Sequence, residues 1–396
     1  APRDAAERFK NLGVDVFLGH GRFVGPQEIE VAGKRLRFYR ALVATGARPH
    51  VPEIEGLESA GFLTNENLFT LLRPPARFGV VGGGPLGCEM AQAFARLGSQ
   101  VTLLLRGSQL LPREEPEASE LVRKALEADG VRIVDGAHIE RVERDAKART
   151  LKFRVGDTSH QLRVDEILIA TGRKPRIEDL GLEAAGIEVL DQRIAVDDFL
   201  RTTNPSVYAV GDVASKFHFT HAADALARLA VRNALFPGRA RASELLIPWC
   251  TFTSPEVARV GASRAELEAR RVRFETVTLP LEENDRAVVE GRENGFLMVH
   301  YRRNSGFILG ATLVAEHAGE SIGELVLAMK ERIHLGRLSE VIHPYPTTAE
   351  CIRKAGDEWM RRRLRRGILK LFSLWFRRLE RKGLKELEKQ AQRNPH

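Results

Sequence analysis

The sequence predicts an α/β fold, doubly wound in its first part and followed by a separate α+β domain. Three observations carry this. Residues 77–105 read as strand, glycine turn, helix and second strand, the opening of a parallel βαβ sheet. Two apolar strands, ALVATGARP at 41–49 and ILIATGRKP at 167–175, each run straight into an Ala-Thr-Gly passage. Beyond the charged stretch 237–244 the pattern changes to alternating strands, VRFETVTL and GFLMVHY, as expected of antiparallel strands.

In chain order, residues 4–12 read as the end of a helix, and Val14 to Phe23 opens a set of short strands punctuated by Gly19, Gly21, Gly25 and Pro26. The strand at 41–44 leads into the first Ala-Thr-Gly. Next come the strand from Phe78 to Val81, the helix from Leu86 to Arg96, Gly98, and the strand from Gln100 to Leu105. A helix at 117–128, further strands, the 167–175 passage and a strand from Val207 to Val210, ending on Gly211-Asp212, complete the first part. Helices near 263–271 and 319–330 belong to the second, and Pro344 and Pro346 mark a non-helical segment before a basic tail. No repeat of solenoid length is visible, although the two Ala-Thr-Gly passages point to two related halves. The expected divisions are 1–73, 74–190, 191–243, 244–357 and 358–396, the first and third being parts of one domain.

The 396 residues are 43% hydrophobic and 29% charged, the composition of a globular protein of two or three domains. The net charge of +8 is unevenly placed: residues 361–396 hold 13 Lys and Arg against three Glu, leaving 48 against 50 before them. The body is nearly neutral, so any membrane or polyanion argument rests on the tail alone. The longest apolar-rich stretch, 368–376, is interrupted by Lys370 and Ser373 and falls far short of the roughly 20 residues that span a bilayer. APRDAAERFK at the start has no apolar secretory core. Three cysteines, Cys88, Cys250 and Cys351, exclude a disulfide scaffold and a four-cysteine metal site, and a cytoplasmic setting is expected.

Gly82-Gly83-Gly84-Pro85-Leu86-Gly87 follows one strand and opens a helix. Gly82 allows the tight turn, Gly84 lets backbone approach a pyrophosphate, and Gly87 permits close packing of helix on strand while the helix N-terminus faces the anion. With both flanking strands in place, the motif reads as a dinucleotide site rather than a structural glycine turn. An NAD site needs Asp or Glu at the end of the second strand, whereas an NADP site needs a cation there. The position holds Leu105, then Arg106 and later Arg113, so NADPH is expected over NADH. The alternative is that both arginines are solvated loop charges.

The ordered strings ATGARP, VVGGGPLGCEMAQAFARLG, LIATGRKP, LRTTNPSVYAVGDV, THAADALA, FTSPEVARVG and IHPYPTTAE resemble class I pyridine nucleotide-disulfide oxidoreductases. These are flavoenzymes related to dihydrolipoamide dehydrogenase, glutathione reductase and mercuric reductase. The resemblance runs over about residues 5–357. It implies doubly wound FAD/NAD(P)-binding Rossmann-type domains, a C-terminal α+β dimerisation domain and a homodimer. It also implies hydride passage from NADPH to FAD and on to a redox disulfide, which serves a small-molecule or metal-ion acceptor. Asp212 with Gly211 would bind a ribityl hydroxyl; Thr45 and Gly46 would line the flavin side, and Gly172 the matching passage. Glu89 matches the family's glutamate beside the flavin ring. Taken alone, Asp212 could equally be a helix N-cap and Glu89 a favourable charge in a first helical turn.

Two departures bear on activity. The family's first FAD unit, with its own glycine motif and a Cys-x4-Cys pair, should precede residue 1, and none of the three cysteines has that spacing; Cys88 reads as a small buried residue. The chain as given is therefore expected to be a fragment without disulfide or metal-ion reductase activity by itself. Second, the family's His-x-His-Pro-Thr-x-x-Glu segment is here His343-Pro344-Tyr345-Pro346-Thr347-Thr348-Ala349-Glu350. Tyr345 replaces the general acid/base, and a phenol with an ordinary pKa near ~10 cannot take over thiol proton transfer. This argues against dihydrolipoamide or glutathione as substrate. Mercuric reductases resemble the chain in having Tyr there, although they end in a vicinal cysteine pair that this tail lacks. His343 and Glu350 are expected to act as supports across a dimer interface, or else to form a surface pair. His218 and His221 have no third ligand beside them, so no metal site is expected.

The expected function is thus a mercuric-reductase-like flavin and NAD(P)H oxidoreductase. The alternatives are a non-catalytic NADP(H)-binding or dimerising module, and a membrane- or polyanion-binding protein acting through its tail. A homodimer is expected through about residues 244–357, whose strands would need a partner to cover Phe296 and Met298. In the tail, Leu364, Ile368, Leu371, Trp375 and Leu379 share a helical stripe among Arg and Lys, which fits an anionic membrane surface through residues 361–390 at the inner face. Packing on its own dimer is the competing reading. Nucleic acid ranks last, because no stacking platform accompanies the charge.

Overall fold

The computed structural model describes residues 5–146, 148–237, 239–364 and 366–393. The chain divides into two compact units, Ala1–Thr253 and Ser254–His396.

The first unit is built around a four-stranded parallel sheet in the order Glu166–Ile169, Arg77–Val81, Gln100–Leu104, Arg132–Val134. Its strands are near-continuous apolar runs because both faces are covered. Phe78, Val80, Leu103, Ile167 and Leu168 are fully buried. The helix Pro85–Arg96 packs on the two central strands, and Pro116–Ala128 connects Gln100–Leu104 to Arg132–Val134. An antiparallel sheet of Ala137–Arg144, Arg149–Val155 and Thr158–Val164 lies beside it, placing Leu151, Phe153 and Val164 in one core with Val81, Leu104 and Ile167. Gly79 sits where an added Cβ would touch Val164 and Leu151, so the two sheets are in direct contact.

The rest of the unit is a second, smaller core. Ala41–Val43 pairs in parallel with Val207–Ala209, and Gly21–Gly25, Glu28–Val31 and Lys34–Arg37 form an antiparallel meander. Phe23, Val43, Leu182, Ile187 and Val207 pack together. The helix Thr220–Leu235 covers Tyr208 and Val210 through Leu226, Leu229 and Ala230. The stretch from Val14, expected to begin a strand, becomes one only at Gly21.

In the second unit, the strands Glu256–Gly261, Ile308–Ala315, Phe296–Arg302 and Phe274–Pro280 neighbour one another in that order, all antiparallel. The helix Ala318–Lys330 packs on the first two strands and Glu350–Arg363 on the last two. Phe296 and Met298 are 7% and 2% exposed. The expectation that they require a dimer partner is therefore corrected: their own unit covers them, whereas Val289, Leu327 and Ile342 are among the apolar side chains it leaves exposed. The tail also departs from a single basic helix. Glu350–Arg363 is anchored through Cys351, Ile352, Ala355 and Trp359, and a separate helix, Arg366–Arg393, begins after Leu364. No helix among the described residues is long and apolar enough to cross a membrane.

Candidate functional site

The glycine turn between Arg77–Val81 and Pro85–Arg96 separates structural glycines from one that leaves room. At Gly82, φ is +112° and a Cβ would lie 2.5 Å from Ala170 O. At Gly87 it would lie 1.8 Å from Gly82 O, so the helix can approach the turn only without a side chain. Gly84 differs, because a Cβ there would meet nothing within 4 Å. Gly84 is also the N-cap, with no side chain capping the helix and Pro85 in the first turn. The Leu86 and Gly87 N–H groups find no acceptor among the described residues, while Cys88 N–H is already bound to Gly84 O. Free donors, the positive end of a 12-residue helix and open space at Gly84 together fit a pyrophosphate.

Leu105, at the end of the next strand, is 2% exposed, and Arg106 is the first exposed residue after it. Nearby carboxylates are engaged elsewhere: Glu114 accepts from Trp249 Nε1 at 2.6 Å, and Asp135 is held by Arg123 at 2.8 Å. Arg113 is exposed as well, and its charge reaches His218.

The two Ala-Thr-Gly passages meet. Ala47–Pro49 and Arg173–Pro175 form a short antiparallel ribbon, and Arg176 N–H donates to Gly46 O while His50 N–H donates to Gly172 O, both at 2.9 Å. Gly46 and Gly172 both have positive φ, +71° and +120°, with open space where a Cβ would stand.

Asp212 lies in the turn Gly211–Val213, 15% exposed in its side chain, with Oδ2 3.0 Å from Arg173 Nε. It caps no helix; the following helix starts at Thr220 without a side-chain cap. Arg173 is thus a site residue that sequence reasoning missed, although it directly follows Gly172. His218 stands near this pair with Nε2 buried and unbonded among the described residues. Burial, with help from Arg193, Arg173 and Arg113, holds its pKa below the ordinary value against the opposing pull of Asp212. His221 is separately engaged, its Nε2 2.6 Å from Pro248 O and its ring stacked on Phe219. No group of three or more metal-ligating side chains occurs among the described residues.

Glu89, in the first turns of the glycine-motif helix, accepts from Phe252 N–H at 2.9 Å. Desolvation raises its pKa above the usual carboxylate range, and the Phe252 bond offsets only part of this. The preceding residue, Cys88, is fully buried and its thiol is pushed up to about 12 by burial, so it stays protonated.

In the second unit, His343, Tyr345 and Glu350 each have a different partner. His343 Nε2 lies 2.8 Å from Glu324 Oε2, and Glu350 is bound by Arg353 at 2.8 Å, so within one chain His343 and Glu350 do not pair. The Tyr345 hydroxyl, on a 70% exposed side chain, donates to Asp285 Oδ2 at 2.7 Å. That carboxylate raises the phenol pKa above its ordinary value, which makes Tyr345 a still weaker base partner for a thiol at neutral pH. Glu324 and Asp285 gave no spacing signal, because both are distant in sequence from the residues they hold.

Two family models match the chain. Pyridine nucleotide-disulphide oxidoreductase covers residues 4–227, and the dimerisation domain of the same family covers residues 247–356. A mercuric reductase of Bacillus cereus is 36% identical over 354 residues, covering 88% of this chain and 56% of that protein. A dihydrolipoyl dehydrogenase of Thermus scotoductus is 33% identical over 355 residues, covering 87% of this chain and 75% of that protein. The solved HOCl-induced flavoprotein disulfide reductase of Escherichia coli superposes with a TM-score of 0.80 at 29% identity, covering 88% of this chain and 81% of that one. The chain thus spans just over half the length of the Bacillus cereus relative.

Proposed function

The chain belongs to the pyridine nucleotide-disulphide oxidoreductase family, and from that membership we propose that it forms the nicotinamide-binding and dimerising parts of an FAD- and NADPH-dependent oxidoreductase. The observation that carries the proposal is the glycine turn, where Gly82 and Gly87 have no room for a Cβ and Gly84 faces open space beside unbonded N–H groups. When bound, NADPH and FAD supply hydride and two-electron transfer, chemistry that no side chain here could supply.

The chain's own residues bind and orient. The helix N-terminus at Gly84 holds the pyrophosphate, and Arg106, beyond the buried Leu105, takes the 2′-phosphate. Arg113, exposed further along the same loop, is the second cation for that phosphate. Asp212, oriented by Arg173, would accept from a ribityl hydroxyl of FAD, and the open turns at Gly46 and Gly172 would let backbone approach the flavin. Glu89 keeps a carboxyl beside the ring whose proton is retained to higher pH than usual. In this reading, residues 74–190 are the nicotinamide domain, 1–73 and 191–243 belong to the flavin domain, and 244–357 form a homodimer. Leu327, Val341 and Ile342 are among the exposed apolar side chains of this unit and are the ones assigned to the dimer in this reading.

A mercuric-reductase-like acceptor, a metal ion or small diffusible oxidant, is favoured over a dithiol by Tyr345. Its phenol, tied to Asp285, cannot serve a thiol as base. Cys88 and Cys351, both pushed up to about 12, are not the redox thiols. Calorimetric titration with NADPH tests the reading. Saturable binding is expected, followed by bleaching of bound FAD where flavin is retained; no binding of either NADPH or NADH would overturn it.

A further inference from the structure

We propose that the helix Arg366–Arg393 is a docking surface for an anionic phospholipid bilayer, lying in the headgroup plane. Leu371, Phe372, Trp375, Phe376 and Leu379 recur at helical spacing, forming one apolar stripe, and are 68%, 40%, 56%, 62% and 46% exposed. Phe372 and Trp375 each set a ring against Phe376, both at 6.4 Å, so the stripe is a continuous aromatic surface. Arg377, Arg381 and Lys385 lie on the other side of the same helix. Residues 366–393 carry nine Lys and Arg against three Glu.

The preceding helix shows what a docked helix in this chain looks like. Glu350–Arg363 buries Cys351, Ile352, Ala355 and Trp359, and its terminal Arg361 and Arg362 are both held by Glu358. Among the described side chains of Arg366–Arg393, none is buried.

Charge decides between the occupants. A second copy could cover the apolar stripe, but it would bring nine like charges against nine, with only three Glu on each side to offset them. A nucleic acid would satisfy the charge and leave the aromatic stripe in water. An anionic bilayer surface receives both, taking the stripe into the acyl boundary and the cations into the headgroups. With 28 residues and a rise of about 1.5 Å each, the helix is long enough to lie across several lipids, and its Arg and Lys content keeps it from spanning.

The whole chain would be co-sedimented with vesicles of phosphatidylcholine alone and of phosphatidylcholine mixed with phosphatidylglycerol. Of its three tryptophans, Trp249 is bonded to Glu114 and Trp359 is 6% exposed, so Trp375 is the reporter for lipid contact. The proposal expects at least about tenfold tighter binding to the anionic vesicles, weakened by salt, with quenching by bromine-labelled lipid. Trp375→Phe should abolish the quenching while leaving sedimentation intact. The triple change Arg377→Glu, Arg381→Glu, Lys385→Glu should lower binding about tenfold or more, with an unchanged circular dichroism spectrum confirming the fold. Three results would overturn it: no preference for anionic over neutral vesicles; quenching that survives Trp375→Phe; or absence of vesicle binding, whether accompanied by retention on duplex DNA or by a change in oligomer mass when the helix is removed.

Discussion

Thr45 and Thr171 make the same hydrogen bond in opposite directions: Thr45 Oγ1 donates to Arg176 O at 2.8 Å, and Thr171 Oγ1 donates to His50 O at 2.6 Å. Each hydroxyl belongs to one Ala-Thr-Gly passage and closes on the backbone just beyond the other. The two bonds flank the Ala47–Pro49 and Arg173–Pro175 ribbon, so they hold one junction together. Replacing either threonine by valine should cost about 0.5–1.5 kcal/mol, at the lower end because both are exposed. The double variant should deviate from additivity by about 0.5 kcal/mol or more in chemical denaturation. Strict additivity would show that the two hydroxyls act separately.

Both passages could be read from sequence as strands entering a glycine turn, and their likeness pointed to two related halves. Their pairing could not be read, because it joins residues more than a hundred positions apart and depends on tertiary placement. The same limit separates Asp212, Tyr345 and His343, legible through motif spacing, from Arg173, Asp285 and Glu324, which hold them. Phe296 and Met298 show a different failure. An alternating strand has one face that must be covered, but the pattern does not say whether the cover comes from the same chain. Here the strand is internal to its sheet and the helix Glu350–Arg363 packs against it, so no partner is needed.

The glycine turn predicts opposite outcomes for two substitutions. Gly87→Ala places a methyl group against Gly82 O and should destabilise the first unit by about 1–3 kcal/mol. Gly84→Val enters open space at φ −76°, an ordinary backbone angle, and should leave the melting temperature nearly unchanged. It should nevertheless weaken NADPH binding by about tenfold or more, since the added side chain fills the approach to the helix N-terminus. Thermal melts and nucleotide titrations on the two variants check the contrast; retained binding in Gly84→Val would place the nucleotide elsewhere.

Glu89 contributes a pH dependence of definite sign. Its folded pKa is raised, so the native state holds its proton where the unfolded state has lost it. Stability from this group is therefore present at low pH and declines as pH rises from the ordinary carboxylate value, about 4.3, through the raised folded value. Glu89→Gln should flatten that decline in denaturation midpoints measured across mildly acidic to neutral pH. A steeper decline in the variant would contradict the burial argument.

The dimer, if it uses the exposed apolar residues of the second unit, should respond to charge placed there. Ile342 is 94% exposed and Leu327 59% exposed, so Ile342→Asp and Leu327→Asp should leave the fold intact and weaken self-association by about tenfold or more in sedimentation. Met298→Asp should instead unfold the unit, because its side chain is only 2% exposed within the chain. Unaltered self-association in both surface variants would move the interface to another face.

The most direct test of the central reading is the ratio of NADPH to NADH dissociation constants for the unaltered chain and for Arg106→Glu. A charge-assisted bond from Arg106 to the 2′-phosphate is worth about 1.5–3 kcal/mol, which corresponds to roughly tenfold or more in affinity. Arg106 is exposed, so replacing it should not disturb the fold. The account requires NADPH to bind more tightly than NADH in the unaltered chain, and Arg106→Glu to reverse that order by repelling the phosphate and accepting from the ribose hydroxyls instead. An equal or NADH-favouring ratio that Arg106→Glu leaves unchanged would contradict it.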